Sequence, residues 1–308
     1  MGVFLQSNQS GCFVYRYSPK LLRLLACELL TSCKDGCRSW SMPDSTPPAF
    51  LFAFDFDGTV VDHDPHPGIH PNFNRFLAHT KSNGGVWAVN TGRTLFQTLE
   101  GLAQHRILPL PDFIMAKERE LYHLGPYNRY VDLGDWNKRC IKEHKRFHKD
   151  HKRVFKKVRA FVEKETQAEW VEGLEETPGV VATSEEELHR VCGFIEDQSA
   201  GRDNLSYERN SVYLRFSHAA YNKGSVLQAL AQMLALSPDR VCVAGDNHND
   251  LSMLDPDVAC YRICPSNAIP EVHEKIAAAG GVVGQGRASF GLLDGINRAF
   301  GLDFTASM

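Results

Sequence analysis

The chain has 308 residues, 43% of them apolar and 23% charged, with a formal net charge of −3 and a pI near 6.5. That composition excludes a disordered chain and a surface that is a nucleic-acid trap throughout. No apolar run approaches the roughly 20 residues of a membrane-spanning helix, so an integral membrane protein is not expected either.

Residues 1 to 46 stand apart from the rest of the chain. They hold four of the nine cysteines and more Lys and Arg than Asp and Glu. We expect an N-terminal extension without a role in function, with Met42 as an alternative start; a transit peptide is the second reading. A secretory signal fits poorly, because Arg23 and Glu28 break the leucine-rich stretch. The remaining cysteines are scattered, and some lie in apolar runs, as Cys242 does. Free thiols in a reducing, cytoplasmic setting are therefore expected. Cys33/Cys37 and Cys260/Cys264 have Cys-x3-Cys spacing, which does not make a zinc site.

From residue 50 short apolar runs alternate with helical periodicity. Phe50–Phe54 reads as a buried strand, Asn72–Ser82 as a helix, Val86–Val89 as a strand and Leu95–Gln104 as a helix. Later, Val226, Leu227, Leu230, Met233 and Leu234 form a helical stripe ahead of strands at Val241–Ala244 and Val258–Ile263. Apolar strands joined by helices predict an α/β fold, a Rossmann-like doubly wound parallel sheet with ligands beyond the strands' carboxyl ends. Residues 117 to 218 interrupt the alternation with a hairpin around Gly125-Pro126, a basic helix over about 136 to 164, a helix near Glu185–Asp197, and strands near Leu205 and Val212–Phe216. The predicted organisation is a core of 47–116 and 219–308 with an inserted α+β domain, 117–218.

Asp55-Phe56-Asp57-Gly58-Thr59 closes the first buried strand. Two carboxylates beside an apolar strand are costly unless a cation and a reaction need them, although Asp-Gly alone also fits a surface turn. Three more segments follow strands at the same end of the sheet or open a neighbouring helix. Asn90-Thr91-Gly92-Arg93 supplies a hydroxyl and backbone N–H groups suited to an anion. Lys223-Gly224 supplies an ammonium, and Gly245-Asp246-Asn247-His248-Asn249-Asp250 adds carboxylates and an amide. Each is weak alone; together, in this order, they point to phosphate chemistry.

This constellation resembles the haloacid dehalogenase-like (HAD) phosphohydrolase superfamily, and the insertion looks like its type-two cap, in the manner of Cof-type and sucrose-phosphatase-like members. The resemblance implies a Mg²⁺-dependent phosphatase. Asp55 would be the nucleophile that forms an aspartyl-phosphate, and Asp57 the general acid and base, with a pKa above a free carboxylate's. Thr91, Gly92, Arg93, Lys223 and Asn249 would contact phosphate. Mg²⁺ would be held by Asp55, Asp57 through its backbone carbonyl, and Asp246, while Asp250 would orient Lys223 or the metal shell. The implied substrate is a small phosphorylated metabolite, a sugar phosphate foremost. A sugar-phosphate mutase would use the same Asp55 and pass the phosphoryl group to a second hydroxyl.

Two features fall outside that pattern. Asp62, His63, Asp64, His66 and His70 surround two prolines, and we expect a solvated loop near the site rather than a second metal; His248 reads as loop filler. Between Lys138 and Lys164 twelve basic residues outnumber three acidic ones, leaving −12 for the rest of the chain. A polyanion-binding surface, RNA included, is one reading. The preferred one is an amphipathic helix packing Ile141, Phe147, Val154, Phe155, Val158 and Phe161 inward, with the basic face steering a phosphorylated substrate. His144, His148 and His151 are expected to pack rather than bind metal.

Overall fold

Phe52 and Phe54 of the first strand and Phe73, Phe76 and Leu77 of the first helix meet in one buried apolar cluster, around which the large sheet is built. The computed structural model describes residues 47–63, 68–172 and 177–304, all within the unit Asp44–Met308. The expectations for residues 1–46 and for Asp64 and His66 lie outside the described residues.

The chain forms β1 (Leu51–Phe54), α1 (Phe73–Ser82), β2 (Val86–Asn90), α2 (Leu95–Gln104) and β3 (Phe113–Ala116), then a hairpin of β4 (Glu120–Leu124) and β5 (Tyr130–Asp132). After it come α3 (Gly134–Glu165), β6 (Glu169–Val171), β7 (Gly179–Val181), α4 (Glu185–Ser199), β8 (Leu205–Asn210) and β9 (Tyr213–His218). The last stretch is α5 (Lys223–Met233), β10 (Val241–Ala244), β11 (Tyr261–Cys264), α6 (Pro270–Ala278), β12 (Val282–Val283) and α7 (Ala288–Phe300).

Eight strands make the large sheet in the order β12-β11-β10-β1-β2-β3-β4-β5, parallel from β12 to β3. β1 lies at its centre, Leu51 opposite Val241 on one side and Val86 on the other. All four β1 residues are buried, as a strand covered on both faces requires. The strand order reverses at β1, so the crevice beyond its carboxyl end is the topological switch point where ligands bind in such sheets.

The hairpin corrects the expected boundary at residue 117. β4 pairs antiparallel with β3, Ile114 opposite Tyr122, so the large sheet continues to Asp132. A hairpin's sequence fixes its own pairing but not the strand it docks beside. β11 starts at Tyr261 rather than Val258, because the amides of Val258 and Ala259 both turn back to the Asp255 carbonyl.

Four antiparallel strands, in the order β6-β7-β9-β8, form a second sheet with its own core. Phe147, Val154, Phe155 and Val158 of α3, with Leu188 and Ile195 of α4, pack on Val180, Leu214 and Phe216. The basic side chains of α3 face outward. Ile141 departs from expectation: it is 46% exposed, lying off the arc that packs. His144 and His151 are buried in that arc. Their burial pushes both imidazoles down, His144 to about 4 with Arg119 nearby adding to the effect.

This sets an acid limit on stability. A His144 that stays neutral in the fold down to about pH 4 accepts a proton near pH 6.5 once unfolded. Its contribution is therefore complete above about pH 6.5 and is lost as pH falls to 4, by up to about 3 kcal/mol. Urea unfolding at pH 7 and pH 4.5 should show a smaller acid loss for His144→Leu than for the native chain; equal losses would refute the assignment.

Candidate active site

The site begins where β1 ends. The Asp55 amide continues the pairing by donating to the Ala244 carbonyl at 2.9 Å. Phe56 turns into the core while Asp55 and Asp57, one residue apart, line a common cavity. Gly58 then reverses the chain at φ +84°, and a Cβ there would collide with the Asp246 carboxylate. Only glycine meets both demands.

Lys223 is the first residue of α5, whose start is capped by the Asn222 side chain on the Ser225 amide. Its ammonium is fully buried and donates to Asp55 Oδ1 and Asp250 Oδ1, both at 2.6 Å. Asp250 in turn accepts the amides of Asp246 and Asn247 on its second oxygen, at 2.8 and 2.9 Å, which folds the loop after β10 into a fixed shape. Thr59 donates to Asp246 Oδ1 at 2.8 Å.

Carboxylate oxygens of Asp55, Asp246 and Asp250 lie within 4.8 Å of one another, the one such group of potential metal ligands among the described residues. Three carboxylates against one ammonium leave two negative charges uncompensated in a buried place. Burial, then the neighbouring carboxylates against the opposing pull of Lys223, raises Asp55 well above the usual range. Burial and Asp250 push Asp246 up to about 7, against Thr59 and Lys223. Lys223 stays charged, because Asp250 and Asp55 outweigh its own burial. A hard divalent cation fits this donor set in charge and in ligand type. Asp250 has both oxygens engaged, so Asp55 and Asp246 are the carboxylates best placed to hold one.

Thr91, Gly92 and Arg93 follow β2. The Thr91 amide donates to the Met115 carbonyl and its hydroxyl accepts the Arg93 amide, so the residue is anchored at the cavity wall. Arg93 is engaged with Asp57 rather than open to an anion. Nε donates to Oδ2 at 2.7 Å and Nη2 to Oδ1 at 2.6 Å, with the guanidinium over the Phe56 ring. His63 Nε2 lies 2.5 Å from Asp57 Oδ1. This corrects the expectation of a raised Asp57 pKa. Burial raises it, but the hydrogen bonds and charges of Arg93 and His63 outweigh burial and hold the carboxyl below its ordinary value.

Asn249, from the loop after β10, turns its amide nitrogen to Glu118 Oε1 at 2.7 Å, and Arg215 of β9 donates to Glu118 Oε2 at 2.7 Å. A cavity of about 260 Å³ opens between these groups. Its walls are Asp55, Asp57, Thr91 and Asn249 on the large-sheet side and Glu208, Arg209, Asn210, Tyr213 and Arg215 on the other. Glu118, Glu208, Tyr213 and Arg215 were not legible as site residues: each stands in a stretch whose pattern reports only strand or turn. The neighbouring Lys117 and Glu118 at φ 52° and 62° are a structural signal that spacing does not carry. His248 is held by Asn247 and lies 3.5 Å from Glu271, away from the cavity lining.

Comparison with known proteins identifies the family and the fold. The haloacid dehalogenase-like hydrolase family matches residues 111–281. A glucosylglycerol-phosphate synthase from Pseudomonas anguilliseptica is 32% identical over 215 residues, which is 66% of this chain but 25% of that protein; the chain thus spans about a quarter of that relative's length. Among solved structures, the sucrose-phosphatase of Synechocystis in complex with sucrose and phosphate shares the fold, with TM-score 0.63, 18% identity, 82% of this chain and 98% of that one. A haloacid dehalogenase-like hydrolase protein from Bacillus subtilis follows at TM-score 0.58 and 16% identity, covering 83% and 93%.

Gly58→Ala tests the carboxylate group directly. A methyl group there displaces Asp246, and divalent-cation affinity, read by calorimetric titration with Mg²⁺ or Mn²⁺, should fall about 10- to 100-fold while the chain remains folded. Unchanged affinity would remove Asp246 from the cation site.

Proposed function

Because the chain belongs to the haloacid dehalogenase-like hydrolase family, we propose that it is a Mg²⁺-dependent phosphatase that hydrolyses a small phosphomonoester, a sugar phosphate foremost. The observation that carries this reading is the buried cluster in which Lys223 meets Asp55 and Asp250, beside Asp246. Asp55, Asp246 and the Asp57 backbone carbonyl would hold Mg²⁺, which would supply the missing positive charge where phosphoryl oxygens gather.

Asp55 attacks phosphorus; the bond to the leaving oxygen breaks, and Asp57 gives that oxygen its proton. Water then attacks the aspartyl-phosphate, loses a proton to Asp57, and releases orthophosphate with Asp55 restored. Lys223, the Thr91 hydroxyl and the Asn249 amide stabilise the phosphoryl oxygens in both halves. The Arg93–Asp57 pair describes the site before substrate arrives. An incoming phosphate gives Arg93 a second anion, its fork shifts, and burial then brings the Asp57 carboxyl toward the protonated form the first step requires.

Two things support a polyhydroxylated leaving group. The cavity is walled by hydrogen-bonding groups, Gln97, Glu208, Asn210 and Tyr213 among them. Of the similar proteins, one is named for glucosylglycerol phosphate and another is in complex with sucrose and phosphate. The four-stranded unit then serves as a cap that excludes bulk water and selects the alcohol, and the basic face of α3 steers the anionic substrate rather than binding nucleic acid. No described helix is long and apolar enough to cross a membrane. The five described cysteines are free, which supports a reducing, cytoplasmic location.

A panel of sugar phosphates and nucleotides with Mg²⁺ tests the proposal. Orthophosphate release without an added acceptor separates hydrolysis from phosphotransfer. Asp55→Asn should lower turnover at least about 1,000-fold, and a chelator should abolish it reversibly. Turnover within tenfold of native in Asp55→Asn would overturn the nucleophile assignment.

A further inference from the structure

Glu118 occupies a turn that the chain adopts against its own preference. Lys117 and Glu118 are both left-handed without being glycine or asparagine. The turn is fastened to the phosphate-side loop, since the Lys117 amide donates to the Arg93 carbonyl at 2.8 Å and the Glu118 amide to the Thr91 carbonyl at 2.9 Å. The Glu118 carboxylate is buried, at 4% exposure, and divides its two oxygens between two parts of the molecule. Oε1 takes Asn249 from the loop after β10; Oε2 takes Arg215 from β9, which also reaches the Lys117 carbonyl at 3.3 Å.

The chemistry of the two bonds differs, and that difference is informative. A carboxylate only accepts, so Glu118 dictates which end of the Asn249 amide faces it. The nitrogen goes to Glu118. One N–H of the amide is used by Glu118, and the other is the donor the amide can offer a phosphoryl oxygen; the Asn249 oxygen is buried with no hydrogen-bond partner among the described residues. Arg215 stands opposite Glu208 in the β8–β9 register, and Glu208 also lines the cavity. A single carboxylate therefore joins the amide on the phosphate side to the strand on the leaving-group side. Gly92 completes the fit, since a Cβ there would lie 3.3 Å from Glu118 Oε1.

We propose that Glu118 is a positioning residue whose shared carboxylate makes two events one: seating of the four-stranded sheet over the cavity, and orientation of the Asn249 amide toward phosphate. This rests on the proposed phosphatase reading for what Asn249 touches. A leaving group that draws β9 inward tightens the Arg215 bond, and Glu118 transmits that to the amide. A compact phosphoryl donor without a large leaving group gains less from the bridge.

The test compares Glu118→Gln, Arg215→Met and the double variant with the native chain. Glu118→Gln keeps the shape but lets the amide turn over, and the double variant removes the Glu118–Arg215 pair whole, so neither of the two is left as an unpaired buried charge. For the best sugar phosphate of the panel, each single variant should lose 10- to 100-fold in kcat/KM, with a smaller loss on acetyl phosphate. The double variant should fall no more than about threefold below the weaker single. Multiplying losses, or equal losses on both substrates, overturn the coupling.

A second arm needs no turnover. With Mg²⁺ and orthovanadate, the amides of β8 and β9 in the native chain should exchange hydrogen more slowly, and in Glu118→Gln that response should disappear. A native chain without the response, or a variant that retains it, overturns the proposal. Absence of phosphate release in the native chain would instead count against the phosphatase reading alone.

Discussion

Everything at the site depends on the Lys223 ammonium, which is fully buried between Asp55 and Asp250. Removing such a charge from water is costly, and only close carboxylates with fixed geometry repay that cost. Those carboxylates stand on chain segments far apart: one ends β1, the other sits in the loop after β10, and the ammonium opens α5. One cation thus fixes the mutual position of three loops at the end of the sheet. It also leaves the acidic groups in excess, and that excess is the physical ground for a divalent ion.

The same economy of charge explains the state of Asp57. Arg93 and His63 satisfy it from two sides, so the carboxyl is ionised while no anion competes for Arg93. A carboxyl held in this way can donate a proton only after its guanidinium partner is drawn elsewhere. In the proposed mechanism this would tie proton donation to occupancy of the phosphate position. Glu118 makes a related link on the opposite wall, where its buried carboxylate joins Asn249 to Arg215 of the second sheet.

Much of this could be read from the sequence, for identifiable reasons. Asp55, Asp57, Thr91, Lys223 and Asp246 follow apolar strands or open helices, and strand ends in a parallel sheet all point to one rim. Periodicity therefore placed them without any contact being known. What stayed hidden depended on partners. Arg93 is a fork that takes whichever anion is nearest, and no spacing says that this is Asp57. The β4–β5 hairpin was evident, but not the strand it joins. Glu118, Glu208 and Arg215 gain their meaning from the approach of β9 to the turn after β3, a juxtaposition across about 100 residues. The histidines of α3 were legible as packing because their spacing keeps to one helical arc, and Ile141 was misplaced because it lies at the margin of that arc.

The pairing of Leu51 with Val241 has a consequence for biosynthesis. About 190 residues separate the two central strands, and a ribosome adding about 5 to 20 residues per second needs roughly 10 to 40 seconds to make them. Throughout that interval the strand that leads to Asp55 has one open edge, a template for mispairing with other nascent chains. The second sheet, assembled from contiguous sequence, can condense while the first waits. A chain released before its last third is made carries Asp55 but has no Lys223–Asp250 clamp, so the buried charge cluster cannot form by halves.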